Sequence, residues 1–313
     1  MRRFLLFLLL PFPALAQPQL ALPLDCEIGT TCFIEDYVDN DPRVGAQRDF
    51  ACGINSRDGH KGTDIALLSF DAPGTAVTAA APGTVVRTRD SMADDRLMNG
   101  VTTETACGNA VLVDHGAGWQ TIYCHLALGS VRVAAGQSVE RGTPLGDVGL
   151  SGQTNHPHLH FGVLHDGETI DPFRPMATGT CDETPTETLW NDPPSYTQTG
   201  LITAGFSDHI PNLDTVRDGS ARVTQATADA PVVVYAHAGY AQHGDILRLS
   251  ATGPDGQIFE HDQILKSPQI SILRAYGRKA PATGWPTGDY LGEATLTRKG
   301  KVIAHRFAHV TVT

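Results

Sequence analysis

Apolar and polar residues alternate with a period of two along most of this chain, in short runs cut by glycine. Between residues 60 and 173 the runs are Asp64–Phe70, Thr75–Ala80, Thr84–Thr88, Ala110–His115, Gln120–Leu126, Leu145–Val148 and His158–Leu164. Each predicts a strand with one buried face. No stretch there holds a 3.6-residue period over three turns. A second series follows at Pro231–His237, Asp245–Thr252, Gln257–His261, Gln269–Ala275, Tyr290–Arg298 and Val302–Val312, with turns at Pro254-Asp255-Gly256 and Lys299-Gly300. So many short strands, regularly punctuated, predict an immunoglobulin-like β-sandwich over 201–313. Residues 17–48 lack periodicity and read as an irregular extension. Residues 89–106 interrupt the strands as a long loop, a class that tends to be functional or mobile. Residues 178–200, rich in Thr, Pro, Asp and Glu, read as a linker. The expected architecture is therefore mostly β, with one strand-rich domain over 49–177 and a sandwich over 201–313.

Composition narrows the classes. Apolar residues make up 41% and charged residues 18%, which excludes a disordered acidic tail and a membrane-embedded chain. The formal net charge is −11 with no basic run. Lys and Arg contacts to phosphate supply most nucleic-acid affinity, so a nucleic-acid partner is not expected. Residues 1–16 carry a basic start (Arg2-Arg3), an apolar core (Phe4–Ala14) and a small-x-small end (Ala14-Leu15-Ala16). That core, about 11 residues, is too short to span a bilayer and reads as a cleaved signal peptide. No later run is long enough for a transmembrane helix. Export favours disulfides for the six cysteines, Cys26, Cys32, Cys52, Cys107, Cys124 and Cys181, none of them in a C-x-x-C. The segments Val111–His115 and Gln120–His125 flank Gly116-Ala117-Gly118 as a hairpin. Counting back from the turn sets Cys124 beside Cys107 and favours that pair. A Walker A loop, a G-x-S-x-G elbow and a dinucleotide fingerprint are absent.

Three segments carry candidate chemistry: His60-Lys61-Gly62-Thr63-Asp64, Tyr123-Cys124-His125-Leu126 and His156-Pro157-His158-Leu159-His160-Phe161. Strand side chains alternate, so His158 and His160 share a face while Leu159 and Phe161 face the core. By the same rule Tyr123 and His125 share a face, which leaves Cys124 to bridge outside a cleft holding His125. Gly62 is expected to permit a tight turn between His60 and Asp64. Imidazole nitrogens and a carboxylate suit Zn²⁺, and a catalytic zinc keeps about three protein ligands and one open position. Two His and one Asp leave the ion a net positive charge, which lowers the pKa of a bound water. Two further His would move its proton or hold an oxyanion. Six other histidines, His209, His237, His243, His261, His305 and His309, lack metal spacing and read as solvated.

The stretch from about 58 to 173 resembles the M23 (LytM/lysostaphin-type) peptidoglycan metalloendopeptidases. The resemblance rests on His60-x-Gly62-x-Asp64, Ala80-Ala81-Pro82-Gly83-Thr84-Val85, Gly108-Asn109-Ala110-Val111 and Tyr123-x-His125-Leu126. It continues through Gly136-Gln137-Ser138-Val139, Gly142-Thr143-Pro144-Leu145-Gly146, Gly149-x-Ser151-Gly152, Pro157-His158-Leu159-His160-Phe161 and Asp171-Pro172. It implies an open antiparallel sheet with a zinc groove, His60, Asp64 and His160 as metal ligands, and His125 and His158 as the non-ligand catalytic pair. The implied substrates are peptidoglycan stem peptides or cross-links, met after export to the periplasm or outside the cell. The implied alternative is a non-catalytic relative that binds the wall or activates another hydrolase; such members have lost ligands, and here all five positions stand. Two features depart from the family pattern: Thr154-Asn155-His156 at the groove rim, and the 89–106 insertion together with the cysteines. No motif assigns a ligand to the C-terminal sandwich. Because all five residues precede 161, a chain ending at 200 is expected to keep cleaving small peptides.

Overall fold

Antiparallel strands account for nearly all regular structure in the computed structural model, which describes residues 17–69, 74–176 and 187–313. The expected signal peptide (1–16), Phe70, Cys181 and the linker residues up to 186 lie outside the described residues. The first group of strands is β1 (Cys32–Asp36), β2 (Thr63–Leu67), β3 (Ala76–Thr78), β4 (Gly83–Arg89), β5 (Asn109–Gly116), β6 (Trp119–Leu126), β7 (Ser138–Val139), β8 (Pro144–Asp147), β9 (His158–His165) and β10 (Glu168–Ile170). Eight of them form one sheet in the order β1-β2-β9-β6-β5-β4-β7, with β10 paired to β9, while β3 and β8 make a separate ribbon.

Period-two alternation decides which face is core. Leu159, Phe161 and Val163 of β9, Ile65 of β2, Tyr123 of β6 and Val111 and Val113 of β5 are fully buried on one side. Burying a side chain of this size is worth roughly 1.5–3 kcal/mol, so these positions fix the register and leave the other face to polar groups. The β5–β6 hairpin closes through Ala117-Gly118, both at positive φ (51° and 81°), the backbone a two-residue type I′ turn requires. The expected Cys107–Cys124 disulfide is present, and Cys26 pairs with Cys32. No described cysteine is free.

The segment read as irregular contributes β1, which pairs with β2 from Cys32↔Leu67 to Asp36↔Asp64. Leu20 and Leu24 are buried in the same core as Leu189 and Trp190. Leu20 N–H donates to the Leu189 carbonyl at 2.7 Å, and Asn191 N–H to the Leu20 carbonyl at 2.9 Å. Residues on both sides of the 177–186 segment thus close over one core.

The second group is β11 (Gly200–Ser207), the short helix α1 (Leu213–Arg217), β12 (Gln225–Ala226), β13 (Val232–Ala241), β14 (Ile246–Gly253), β15 (Gly256–Ile264), β16 (Gln269–Arg278), β17 (Gly288–Arg298) and β18 (Lys301–Val312). Two sheets, β11-β13-β16 and β12-β18-β17-β14-β15, share one hydrophobic core. The Tyr290 hydroxyl near the start of β17 donates to the Pro286 carbonyl at 2.7 Å. A corner tyrosine bonded back to upstream backbone also occurs in immunoglobulin sandwiches. No helix among the described residues is long and apolar enough to cross a membrane.

Strand β18 lies against the first sheet. The Arg306 guanidinium pairs with Glu35 and, at 3.2 Å, with Asp36 on β1. His309 Nε2 meets the Asn155 carbonyl at 2.8 Å, and its Nδ1 meets Arg96 of the 89–106 loop at 2.8 Å. Arg96 also pairs with Asp289 at 2.5 Å. Two of the histidines expected to be solvated are instead buried: His237 is 4% exposed and His305 2%. His237 bonds the Ser271 hydroxyl and His305 sits against Phe33 and Phe307. A solvent-face position in an isolated strand becomes interior once a second layer packs on it. The sandwich therefore packs directly on β1, the strand that pairs with β2. Cutting the chain at residue 200 is expected to lower the melting temperature of the first domain, because Glu35 and Asp36 lose their buried cation. About 2–4 °C accompanies each kcal/mol in a domain of this size. Calorimetry of residues 17–200 against 17–313 checks it, and an unchanged midpoint would mean the contact contributes nothing to stability.

Candidate active site

The β2–β9 pairing sets Asp64 opposite His160 and Ala66 opposite His158. Cross-strand partners point to the same side of a sheet, so the Asp64 carboxylate meets the His160 ring. Its Oδ1 lies 2.7 Å from His160 Nδ1. His60, just before β2, brings its Nε2 to 3.1 Å from Asp64 Oδ2 and 3.1 Å from His160 Nδ1. Four ligands about 2.05 Å from a tetrahedral ion lie about 3.3 Å apart, so these three donors are spaced as ligands of one small cation. His60 Nδ1 meets the Tyr37 carbonyl at 2.8 Å. That contact makes Nδ1 the donor and turns the Nε2 lone pair toward the other two, as in metal-ligating histidines.

Gly62 serves this cluster in a different way from the turn expected of it. A Cβ there would lie 2.6 Å from His160 Cε1, 2.7 Å from Nε2 and 2.8 Å from the Phe161 carbonyl oxygen. Glycine is required by the close approach of the His160 ring, not by an unusual φ.

His125 reaches the cleft by a route that simple alternation does not describe. Tyr123 pairs with Phe161 across the sheet and points into the core, its hydroxyl accepting from Ala80 N–H and Thr121. Cys124 is the residue opposite His160. Continued alternation would bury His125 beside Tyr123. Instead His125 takes φ 63°, a left-handed conformation uncommon for non-glycine residues, and its ring swings to the histidine side. The ring centroids of His125 and His158 are 4.7 Å apart, and those of His125 and His160 6.0 Å. The Cys107–Cys124 bridge sits beside this kink, and His125 N–H donates to the Cys107 carbonyl at 2.9 Å.

All five predicted residues therefore meet in one place. The partners of the last two assign their tautomers. His125 Nδ1 meets the Ser151 carbonyl at 2.9 Å. The Thr154 hydroxyl donates to the His156 carbonyl at 2.7 Å and accepts from His158 Nδ1 at 3.0 Å. Both rings then present a bare Nε2 to the cleft. His158 Nε2 is buried without a hydrogen-bond partner, 3.6 Å from Asp64 Oδ2. An orphaned buried acceptor beside a three-donor cluster fits a site built for a cation and its substrate.

The charges agree. Burial alone would raise the Asp64 carboxyl, but His60 and Arg57 outweigh it and hold Asp64 well below the usual carboxylate range. Burial, with the neighbouring His158 and His160, keeps His125 well below an ordinary imidazole. Burial lowers His158 to about 4 despite the attraction of Asp64. His60 moves up, because Asp64 outweighs its burial. An unfolded chain protonates its histidines near ~6.5, whereas folded His125 and His158 stay neutral until far lower pH. His115, His237 and His309 are also lowered, mainly by burial; His60 and Asp171, whose carboxyl burial raises to about 6, oppose but are outnumbered. The unfolded state binds more protons in that window, so stability falls as pH falls. The metal-free protein is expected to lose stability steadily from about pH 6.5 to about 4. Urea midpoints at pH 7, 5.5 and 4.5 check this, and a flat or rising trend would contradict it.

Motif reading missed several residues. Arg57 donates to Asp64 Oδ2 and, at 3.3 Å, to Asp36. The Tyr37 and Ser151 carbonyls and the Thr154 hydroxyl orient rings, and a backbone carbonyl has no sequence signature at all. His156, part of the third candidate segment but given no role there, bonds Glu35 at 2.5 Å and stacks on His158 at 4.7 Å.

Residues 58–172 match the sequence profile of peptidase family M23. Over those residues, a little over a third of the whole, the chain is similar to that family. Proteins similar to this segment include the peptidoglycan DD-endopeptidase ShyA of Vibrio cholerae, 32% identical over 122 residues, or 38% of this chain and 24% of that one. The cell division protein DipM of Caulobacter vibrioides is 42% identical over 69 residues, 22% of this chain and 11% of DipM. An uncharacterized metalloprotease of Haemophilus influenzae is 31% identical over 121 residues, 39% of this chain and 22% of that protein. The matches thus span a quarter or less of each relative's length. Among solved structures, an M23 peptidase from Pseudomonas aeruginosa is 27% identical, covers 49% of this chain and 48% of its own, and superposes with a TM-score of 0.30.

Proposed function

We propose that this chain is an exported zinc metalloendopeptidase that hydrolyses peptide cross-links of bacterial peptidoglycan. His60 Nε2, an Asp64 oxygen and His160 Nδ1 would hold the ion; His125 and His158 would act on the substrate. The observation that carries this reading is the convergence of those three donor atoms, all within 4.8 Å of one another, with two neutral imidazoles facing them. The M23-like segment and its similarity to the peptidoglycan DD-endopeptidase ShyA point to the substrate class. When bound, zinc supplies a Lewis acid and lowers the pKa of a coordinated water toward about 7.

The remaining work falls to side chains. The bare Nε2 of His125 or His158 accepts the proton of the attacking water, and the imidazolium so formed returns it to the leaving amine. Before giving that proton up, the imidazolium donates its Nε2–H toward the developing oxyanion, and the bare Nε2 of the other ring accepts the remaining O–H of the water and orients it. Both are uncharged before reaction because burial disfavours the imidazolium, which makes them ready acceptors at neutral pH. The Ser151 carbonyl and Thr154 hydroxyl hold the rings so that the proton enters at Nε2 and not at Nδ1. A complete five-residue set favours this reading over a non-catalytic wall-binding or activating role. The disulfides favour an oxidising compartment, the periplasm or the exterior.

Digestion of purified muropeptides by the mature chain, with and without a chelator and read by mass, tests the proposal. Cleaved cross-links that disappear on chelation and return with zinc are expected. Intact muropeptides with zinc-loaded protein would favour the non-catalytic role.

A further inference from the structure

Glu35 and Asp36 on β1 have side chains only 3% and 2% exposed, yet neither belongs to the five-residue cluster. Adjacent buried carboxylates repel each other and lose hydration, a cost that needs a cation with good geometry. That cation comes from the other domain. Arg306 of β18 pairs with both, and its Nε donates to the Leu201 carbonyl at 3.1 Å. Burial alone would raise the Glu35 carboxyl, but Arg306 and His156 outweigh it and keep it ionised far below the usual range.

Each carboxylate then reaches a different half of the site. The second oxygen of Glu35 takes His156 Nε2 at 2.5 Å, and the His156 ring lies nearly parallel to His158, 4.7 Å between centroids and 21° between planes. The second oxygen of Asp36 takes Arg57, whose other terminal nitrogen holds Asp64 Oδ2. Phe307, beside Arg306, packs against the same His156 ring at 6.1 Å.

We propose that the C-terminal sandwich is a positioning element of the catalytic centre, in which Arg306 acts through Glu35 and His156 on His158, and through Asp36 and Arg57 on Asp64. This rests on the metallopeptidase reading above. Groups that orient ligands and acid–base residues from behind typically matter about 10–100-fold in metal affinity or activity. The two arms differ in strength. His156 is largely enclosed, with 15% of its side chain exposed, whereas Arg57 is 48% exposed, so water screens the Arg57–Asp64 pair and the Asp36 arm carries the smaller effect.

The test uses the full mature chain and two isosteric variants that each cut one arm. Glu35→Gln is expected to lower kcat about 10–100-fold with KM and zinc content unchanged. It should also shift the ring nitrogen NMR signals of both His156 and His158 in metal-free protein. Asp36→Asn is expected to speed zinc release to a competing chelator several-fold, with a smaller loss of kcat. Arg306→Gln should show both defects and Arg306→Lys should recover part of each, while Arg306→Gln combined with Glu35→Gln should be no slower than Arg306→Gln alone. Arg248→Gln, which breaks an exposed sandwich ion pair to Asp262, is the control expected to change nothing. If Arg306→Gln does not fold, the Glu35 and Asp36 variants decide. An active, zinc-holding wild type whose Glu35→Gln and Asp36→Asn forms keep wild-type kcat and zinc release overturns the positioning role alone. A wild type that neither holds zinc nor cleaves overturns the metallopeptidase reading and the positioning role with it.

Discussion

Replacing His160 with alanine is expected to remove metal and cleavage together while leaving the fold in place. Only two of the three converging donors, His60 Nε2 and the Asp64 carboxylate, would remain, and a catalytic zinc needs about three protein ligands. The backbone of residue 160 keeps its pairings with Asp64 on β2 and Cys124 on β6. The ring also lies at the edge of the cluster with 18% of its side chain exposed, so its loss opens no sealed cavity. Gly62, which exists as glycine because the ring presses on it, simply gains room. Activity should fall by at least the roughly 10²–10⁴-fold assigned to acid–base groups, since the electrophile goes with the ligand. Elemental analysis beside a cleavage assay checks this. A variant that still held one zinc per chain would remove His160 from the ligand set.

The parts of this molecule that were legible in its sequence are those governed by local rules. The alternation His158-Leu159-His160-Phe161 put two rings on one face because a strand has no other option. The Gly116-Ala117-Gly118 turn set the β5–β6 register, and with it the Cys107–Cys124 pair. What escaped reading depends on distance or on broken regularity. His125 approaches the cluster only because its backbone leaves the strand at φ 63°, whereas unbroken alternation would have buried it with Tyr123. β1 has no clear local signature because Cys32–Asp36 is short, and its acidic end reads as solvent-facing until Arg306 is brought to it across 270 residues of chain. His305 reads as solvated for the same reason: its burial comes from β1 and Phe33, which no window around residue 305 contains. Local pattern encodes which residues share a face; it does not encode which distant layer covers that face.

Substituting His125 by asparagine, or His158 by alanine, is expected to separate turnover from metal binding. Neither ring lies among the three donor atoms that converge, so zinc content should stay at one per chain. Asparagine suits position 125 because it tolerates a left-handed backbone better than most residues, and the kink beside Cys124 is then kept. At 158 the imidazole is buried, so alanine leaves a small void and a modest loss of stability, which is measured separately by thermal unfolding. The catalytic loss should be far larger than any such change. A positioned acid–base group is worth roughly 10²–10⁴-fold, and so is one oxyanion donor. If the two rings act in one proton-handling unit, the double variant should be little slower than the worse single variant, because groups that act together are non-additive. Steady-state rates on a soluble cross-linked muropeptide, with zinc measured on the same samples, decide the assignment. Near-normal turnover in either single variant would remove that ring from the mechanism. Loss of zinc in a folded variant would instead make the ring a ligand, and the proton transfers would then fall to the histidine that remains.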